Sequence, residues 1–271
     1  MEPAGDLTYG TYLRLDDLLR CQRPLTGVHD EMLFIVIHQV YELWFKQTLY
    51  ETELLQQRLE CGDGAGALAT ARRIAKILKT VVGQMDVLET MTPQQFARFR
   101  PDLGNSSGFQ STQFRRIEAV YGRRHFSVTG GDPVLTEIMG RPPVFASLLR
   151  YLDLSGWPVP DQVLTRDPRQ PWPGGRDQAG PGRGEQAGPG DDQVLALLAR
   201  VYDEAGTPAE VCEALVDVDE GLQEWRYRHV KAVERIIGAR LGTGGSSGVE
   251  YLRGTLFRPF FPDLWEIRSR T

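Results

Sequence analysis

Four histidines occur in the 271-residue sequence, and two of them lie in surroundings that could support chemistry. His38 lies within the most apolar stretch of the chain, and His229 comes four positions after Trp225 in a second predicted helix. A single buried histidine is usually a hydrogen-bonded core residue, but neutral imidazoles are also the commonest metal ligands in proteins. His29 and His125 stand among polar residues, and we interpret both as surface positions.

The residues around the first two histidines indicate which metal chemistry they could support. Catalytic zinc is usually bound by three protein ligands, and the sequence has no HExxH motif that would supply two of them. A di-iron centre needs two Glu-x-x-His motifs, but neither His38 nor His229 has an acidic residue three positions earlier. Haem needs only one strong axial histidine and leaves its other face for a ligand. Two histidines on facing helices therefore fit haem better than zinc. Four basic residues could pair with haem propionates or form a solvated helix face: Arg226, Arg228, Lys231 and Arg235.

A glycine-rich segment follows the last long predicted helix. Residues 242–248 contain four glycines and three hydroxyl residues, without the lysine of a P-loop or the preceding strand of a dinucleotide site. Such a segment either ends the helix or brings backbone N–H groups close to a small polar ligand.

Charge and hydropathy exclude several classes of protein. The net charge is −5 and the pI is near 5.5, so no basic excess is present to bind nucleic acid. The longest apolar runs, such as residues 32–37, are far shorter than the roughly 20 residues of a membrane span. The N-terminus resembles no signal peptide, and the three cysteines form no CxxC pair, so we expect a cytoplasmic protein.

The elements that would carry these residues are helices, and no segment shows sustained strand alternation. The first long helix is predicted from Glu31 to about Glu60, with Asp30 as its N-cap. Its first half is apolar nearly all round, which predicts that it lies inside the protein. Further helices are predicted over about 65–88, after the capping box Thr92–Gln95, after Asp132, over about 192–205, and from 208 or 217 to 240. The predicted fold is all-α, with long antiparallel helices.

One segment differs in composition from the rest of the chain. Residues 166–190 contain seven glycines and five prolines and include a short tandem repeat. Such a composition cannot bury apolar area, so it predicts a flexible surface loop. We favour a loop without a function over a functional lid. We expect residues 1–271 to form a single domain around this loop.

Five motifs in order make the sequence resemble the haem-dependent tryptophan 2,3-dioxygenase family from Tyr9 to about Arg268. They are Phe34 to Lys46, Leu88 to Pro93, Ser107 to Ser111 with Gln113 to Arg115, Trp225 to His229, and Gly242 to Gly248 with Tyr251 to Arg253. The resemblance implies an all-α homotetramer with haem b. It also implies insertion of both atoms of O₂ across the C2–C3 bond of the L-tryptophan indole, which gives N-formylkynurenine.

The resemblance also implies roles for individual residues. His229 would be the axial ligand of the haem iron, beside Trp225, and His38 would be the distal histidine that hydrogen-bonds the indole N–H. Arg100 would hold the substrate carboxylate as a bidentate pair, a geometry that lysine cannot copy. The remaining implied contacts are the indole-pocket walls Phe34 and Phe96, the pocket residues Leu103 and Ser107, the ammonium and carboxylate contact Thr243, and the tyrosines Tyr9 and Tyr12, inserted into a neighbouring subunit.

Two other functions remain open at this point. A relative with the same pocket could transfer one oxygen atom to a tryptophan derivative, such as β-methyltryptophan, and give an oxindole in natural-product biosynthesis. A non-catalytic haem sensor would need neither Arg100 nor Thr243, so their joint presence argues against it.

Overall fold

The structure is a computed structural model that describes residues 7–106, 108–124, 131–170, 172, 189–238 and 249–269. Every regular element within these ranges is a helix, which confirms the predicted all-α class. The helices are α1 (Tyr9–Leu13), α2 (Leu15–Leu18), α3 (His29–Glu60), α4 (Gly64–Gly83), α5 (Met85–Leu88), α6 (Pro93–Phe99), α7 (Thr112–Val120), α8 (Pro133–Met139), α9 (Val144–Leu154), α10 (Asp161–Leu164), α11 (Pro189–Glu204), α12 (Thr207–Ile237), α13 (Val249–Arg253) and α14 (Pro262–Glu266). Short 3₁₀ turns occupy Arg100–Leu103, Gly108–Gln110 and Ile267–Ser269.

The two longest helices, α3 and α12, both pack against α4 and form the core with it. The apolar residues of α4 recur with the helical period, and its buried positions include Leu68, Ile74 and Leu78. Gly221 lets α12 approach α4 closely, because a Cβ atom at this position would lie only 3.0 Å from the Cβ of Leu78. The helix predicted over about 65–88 is interrupted in the structure, where α4 ends at Gly83 and α5 begins at Met85.

The start of α3 differs from the prediction. Asp30 is not the N-cap, because the helix begins at His29 after Val28, whose side chain makes no capping hydrogen bond. The carboxylate of Asp30 instead accepts a 3.0 Å hydrogen bond from Nε2 of Gln95, at the start of α6. The capping box at Thr92 and Gln95 is confirmed, with both reciprocal hydrogen bonds present. Gln95 thereby ties the start of α6 to the start of α3.

The prediction that the first half of α3 is buried all round is wrong for the isolated chain. Met32, Val36 and Leu43 are exposed, and Tyr50 continues the same stripe with 69% of its surface accessible. At the helical period these four side chains lie along one face of α3. The opposite face, with Ile37, Tyr41 and Phe45, is buried, so among the described residues an apolar stripe of α3 remains exposed. We call these four residues the α3 stripe.

The Gly/Pro-rich segment is only partly described. Residues 171 and 173–188, which contain most of the predicted flexible loop, lie outside the described residues. Trp172 belongs to the structure: its ring lies 4.8 Å from that of Phe145, and its Nε1 donates to the carboxylate of Asp263. Helix α11 begins at Pro189, inside the range predicted as loop. No helix in the described ranges has the length and apolar character needed to span a membrane.

Candidate functional site

Three of the predicted pocket residues lie together where α3 meets α6. The ring of Phe34 is 4.1 Å from the imidazole of His38 and 5.7 Å from the ring of Phe96, measured between centroids. Phe99, which the sequence analysis did not single out, completes the cluster at 5.6 Å from Phe34 and is fully buried. The helical spacing of residues 34 and 38 puts them on one face of α3. The arrangement is an aromatic wall against which a flat ring can lie.

The imidazole of His38 has a defined hydrogen-bonding state. Its Nδ1 lies 2.7 Å from the carbonyl oxygen of Phe34, and since a carbonyl can only accept, Nδ1 carries the proton. In the neutral ring, Nε2 then holds a lone pair and can accept a hydrogen bond. Burial lowers the pKa of His38 below 6.5, while the bond to Phe34 and the carboxylate of Glu42 act in the opposite direction. His38 is therefore a neutral acceptor at neutral pH.

Arg100 and Leu103 lie in the turn that follows α6. Arg100 is the C-cap of α6, four residues after Phe96, and its side chain is half-buried. The 3₁₀ turn Arg100–Leu103 then carries Leu103 against the apolar core. The structure therefore places a guanidinium at the end of the helix that bears the Phe96 wall. A guanidinium in this position can pair bidentately with a carboxylate.

His229 lies on α12 and stacks on the indole of Trp225, with ring centroids 5.0 Å apart and planes inclined by 21°. Burial lowers the pKa of His229 to about 4, and the nearby His38 acts in the same direction. Within the described residues, no hydrogen bond occupies either ring nitrogen of His229. The imidazole is thus neutral and available as a ligand.

Aromatic rings connect the two histidines through the core. Tyr41 lies edge-on to His38 at 6.2 Å and stacks on Phe45 at 6.3 Å. Phe45 in turn meets Trp225 edge-on at 5.5 Å, which completes the path to His229. The path crosses from α3 to α12, so the two predicted histidine helices do face each other.

The four basic residues near His229 all form ion pairs with protein carboxylates, and their pairing with haem propionates stays a prediction. Arg226 is buried and pairs with Glu118 at 2.9 Å, so it is not a solvated side chain. The other three form ion pairs with side chains of α12 and the α5 region: Arg228 with Asp86 and Glu89, Lys231 with Glu234, and Arg235 with Glu89. The nearby carboxylates already balance these charges.

Two predicted site residues are not brought into this cluster. Tyr9 and Tyr12 project from α1 with 76% and 70% of their surfaces exposed. Ser107 and Thr243 lie outside the described residues, as does His125. The structure therefore leaves their predicted roles as predictions.

One polar contact near His38 was not assigned from the sequence. Nε2 of Gln113, on α7, donates to the backbone oxygen of Glu42 at 2.7 Å and to its carboxylate at 2.9 Å. Glu42 comes one turn after His38 on α3, so this bond orients the carboxylate nearest the histidine. The spacing of His38 and Glu42 was visible in the sequence, but a partner 71 residues away was not.

Comparison with known proteins gives the family. The family model described as tryptophan 2,3-dioxygenase matches residues 1–129 and 187–271. The chain belongs to this family. Relatives named tryptophan 2,3-dioxygenase include one from Anaeromyxobacter sp. (strain K), 52% identical over 97% of this chain and 96% of its own. A relative from Herpetosiphon aurantiacus is 46% identical over 97% of this chain and 98% of its own. A relative from Bacillus thuringiensis is 37% identical over 98% of this chain and 93% of its own.

Membership of the tryptophan 2,3-dioxygenase family confirms the resemblance drawn from the motifs. Residues 130–186 fall outside the family model, and they include α8, α9, α10 and most of the Gly/Pro-rich segment. All the residues placed in the aromatic cluster, and both histidine helices, fall inside it. The site is thus built from the part of the chain that defines the family.

The donor groups of this chain fit a haem better than a bare metal ion. Within the described ranges, no group of three His, Cys, Asp or Glu side chains converges on a point where an ion could bind. His229 offers one neutral imidazole without a competing hydrogen bond, and one histidine is sufficient for haem. Trp225 beside it has a buried indole Nε1 with no acceptor among the described groups. These features fit a cofactor held by a single axial ligand.

Proposed function

We propose that the protein is a haem-dependent dioxygenase that converts L-tryptophan and O₂ into N-formylkynurenine. The observation that carries the proposal is the neutral His38, whose Nε2 can accept a hydrogen bond beside the Phe34 and Phe96 rings. An indole needs both features, a flat apolar wall and an acceptor for its single N–H. The relatives at 37–52% identity, named tryptophan 2,3-dioxygenase, support the same substrate.

His229 would hold haem b through its imidazole, with Trp225 stacked beside that ligand. When bound, the haem supplies the iron chemistry that activates O₂ for insertion across the indole C2–C3 bond. The low pKa of His229, about 4, keeps its ring neutral, as a histidine that would bind iron through nitrogen requires.

The side chains of this chain bind and orient the substrate. Arg100 pairs with the α-carboxylate, and Thr243 contacts the ammonium and carboxylate end. The indole lies between Phe34 and Phe96, with Leu103 and Ser107 closing the pocket. Nε2 of His38 accepts a hydrogen bond from the indole N–H, and this bond fixes the orientation of the C2–C3 edge of the indole in the pocket.

His38 orients the indole and need not remove its proton, because the indole N–H is a very weak acid. The aromatic walls exclude water from the reacting atoms, which prevents side reactions of activated oxygen. Arg100 gives specificity for amino acids, because only a ligand that carries a carboxylate can form a bidentate pair with its guanidinium.

We propose that the protein assembles as a homotetramer and that Tyr9 and Tyr12 reach the site of a neighbouring subunit. Two features support self-association. The segment from residue 7 to 19 exposes several large apolar side chains, among them Leu7, Tyr9, Tyr12 and Leu19. The α3 stripe leaves a second apolar surface without a partner, and exposed apolar patches mark interaction sites.

The proposed reaction places the protein in tryptophan catabolism, at the entry to the kynurenine pathway. We further propose a cytoplasmic location and a single haem-binding domain. The alternative reaction is mono-oxygenation of a tryptophan derivative, which differs from the proposed one in adding a single oxygen atom.

The test is aerobic turnover of L-tryptophan by the reduced, haem-loaded protein, with β-methyltryptophan assayed in parallel. We expect N-formylkynurenine, seen by its absorbance and mass, and a lower kcat/KM for the methylated substrate. An oxindole product, or turnover of the derivative alone, would contradict the proposal.

A further inference from the structure

Helix α7 touches both histidine helices, although it carries no residue of the proposed pocket. Its first turn holds Gln113, which bonds to Glu42 on α3, and Phe114, whose ring lies 4.4 Å from that of Trp225 on α12. Its last turn holds Glu118, which pairs with Arg226 on α12 at 2.9 Å. The helix therefore contacts α3 and α12 through its first turn, and α12 again through its last turn.

The pair of Glu118 and Arg226 is almost fully removed from water, with 8% and 6% of the side chains exposed. Arg226 also donates to the backbone oxygen of Arg258 and stacks over the ring of Phe260 at 4.4 Å. Glu118 accepts a second hydrogen bond from Arg123 at 2.7 Å. Breaking a buried ion pair leaves an uncompensated charge, so this contact strongly restrains the two helices.

Arg226 precedes His229 by three residues, which on a helix is a rise of about 4.5 Å on neighbouring faces. Rotating α12 about its axis would move both side chains together. Phe114 restrains the same turn through Trp225, which stacks on the His229 ring. The restraint on Arg226 is therefore transmitted to the imidazole by one rigid helical turn.

We propose that Glu118 is a positioning residue for His229. Its ion pair with Arg226 fixes the direction of the imidazole, and its charge balances a guanidinium buried one turn from that ligand. The inference rests on the proposed role of His229 as the haem ligand. Glu118 itself touches neither substrate nor cofactor in this account.

The test compares Glu118→Gln with Asp132→Asn in the full-length, haem-loaded protein. Asp132 forms an ion pair with Arg116 of α7 at 2.9 Å, but that pair joins α7 to α8 and not to a histidine helix. Asparagine also preserves the N-cap of α8. The readouts are the Fe(III)/Fe(II) reduction potential and the iron–histidine stretching frequency in the ferrous resonance Raman spectrum.

We expect Glu118→Gln to shift the potential in the positive direction, because the uncompensated Arg226 charge disfavours the ferric state. The iron–histidine frequency should shift as well, whereas both values in Asp132→Asn should equal those of the wild type. Equal losses of thermal stability in the two variants, with unchanged potential and frequency, would reduce Glu118 to a structural residue and overturn the proposal.

A double variant keeps the test decisive if Glu118→Gln does not fold. Glu118→Gln with Arg226→Met removes both charges of the buried pair, so that no Arg226 charge is left without its carboxylate. The potential should return toward the wild-type value, while the iron–histidine frequency stays shifted because the tether is absent. A wild-type frequency in this variant would refute the positioning role.

Failure of the underlying assignment gives a different result. If the wild-type protein binds no haem, or if His229→Ala keeps the wild-type spectrum, then the proposed function is wrong before Glu118 is tested.

Discussion

Nδ1 of His38 donates a 2.7 Å hydrogen bond to the carbonyl oxygen of Phe34, one turn earlier on α3. The same two residues are in ring contact at 4.1 Å. One backbone acceptor thus fixes the tautomer of the histidine and holds its ring against the wall that would receive the indole. The direction of the Nε2 lone pair follows from this contact and not from any charged partner.

The pH dependence of substrate binding should report on His38. Burial lowers its pKa below 6.5, so Nε2 remains an acceptor at that pH and above. As the pH falls through the lowered pKa, protonation removes the acceptor, and KM for L-tryptophan should rise about 5- to 10-fold, as for one lost hydrogen bond. The check is KM against pH for L-tryptophan and for 1-methyltryptophan, which has no indole N–H and should lack this rise.

Glu42→Gln gives a directional control for the same titration. The Glu42 carboxylate raises the pKa of His38, so its removal should move the rise in KM to lower pH. A rise that stays in place, or moves to higher pH, would show that another group titrates.

Arg100→Leu should weaken recognition of the substrate carboxylate. The loss of a charge-assisted hydrogen bond, worth about 1.5–3 kcal/mol, predicts a fall in kcat/KM of about 10- to 100-fold for L-tryptophan. Binding of indole, which has no carboxylate, should change little. Arg98→Leu is the matched control, because Arg98 is an exposed arginine two positions earlier, in the last turn of α6. Equal effects on tryptophan and indole would refute the role of Arg100.

His229→Ala should abolish stoichiometric haem binding, since it removes the only proposed axial ligand. His29→Ala is the control, because His29 is exposed at the start of α3. Haem content by absorbance and far-UV circular dichroism should show a folded, haem-free His229 variant and an unaffected His29 variant. Retention of full haem by the former would disprove the axial assignment.

The double variant Tyr9→Ala/Tyr12→Ala should change assembly and activity more than the stability of the single chain. Both side chains are largely exposed, and surface substitutions usually change the free energy of unfolding by about 0.5 kcal/mol or less. We expect a smaller assembly by sedimentation and a raised KM for L-tryptophan. Leu154→Ala, at another exposed apolar position, should leave both unchanged. If the double variant remained a tetramer with the wild-type KM, the proposed role of Tyr9 and Tyr12 in a neighbouring site would be wrong.

Much of the fold follows from helical periodicity and capping. The capping box at Thr92 and the N-cap at Asp132 are local features, because the hydrogen bonds that form each cap lie within a few residues. Both were predicted correctly. The prediction that Asp30 is the N-cap of α3 was wrong. The Asp30 side chain bonds to Gln95, 65 residues away, and the helix starts earlier without a side-chain cap.

The parts that could not be predicted depend on distant partners. The charge pattern around His229 suggested a solvated face or a propionate contact, yet Arg226 is buried against Glu118, 108 residues earlier. Similarly, the apolar first half of α3 indicates burial but not what buries it. Only part of that surface meets the core of its own chain, and the α3 stripe remains exposed. The family motifs indicated the two histidines and the rings of Phe34 and Phe96, whereas the contacts of α7 with both histidine helices required the structure.

The central claim is dioxygenation, and the most direct measurement is the mass of the product formed from L-tryptophan under heavy-isotope O₂. The reduced, haem-loaded protein should give N-formylkynurenine in which both added oxygen atoms carry the label. A product with one labelled oxygen would indicate mono-oxygenation and contradict the account. Unlabelled product, or no turnover by protein with a full complement of haem, would contradict it as well.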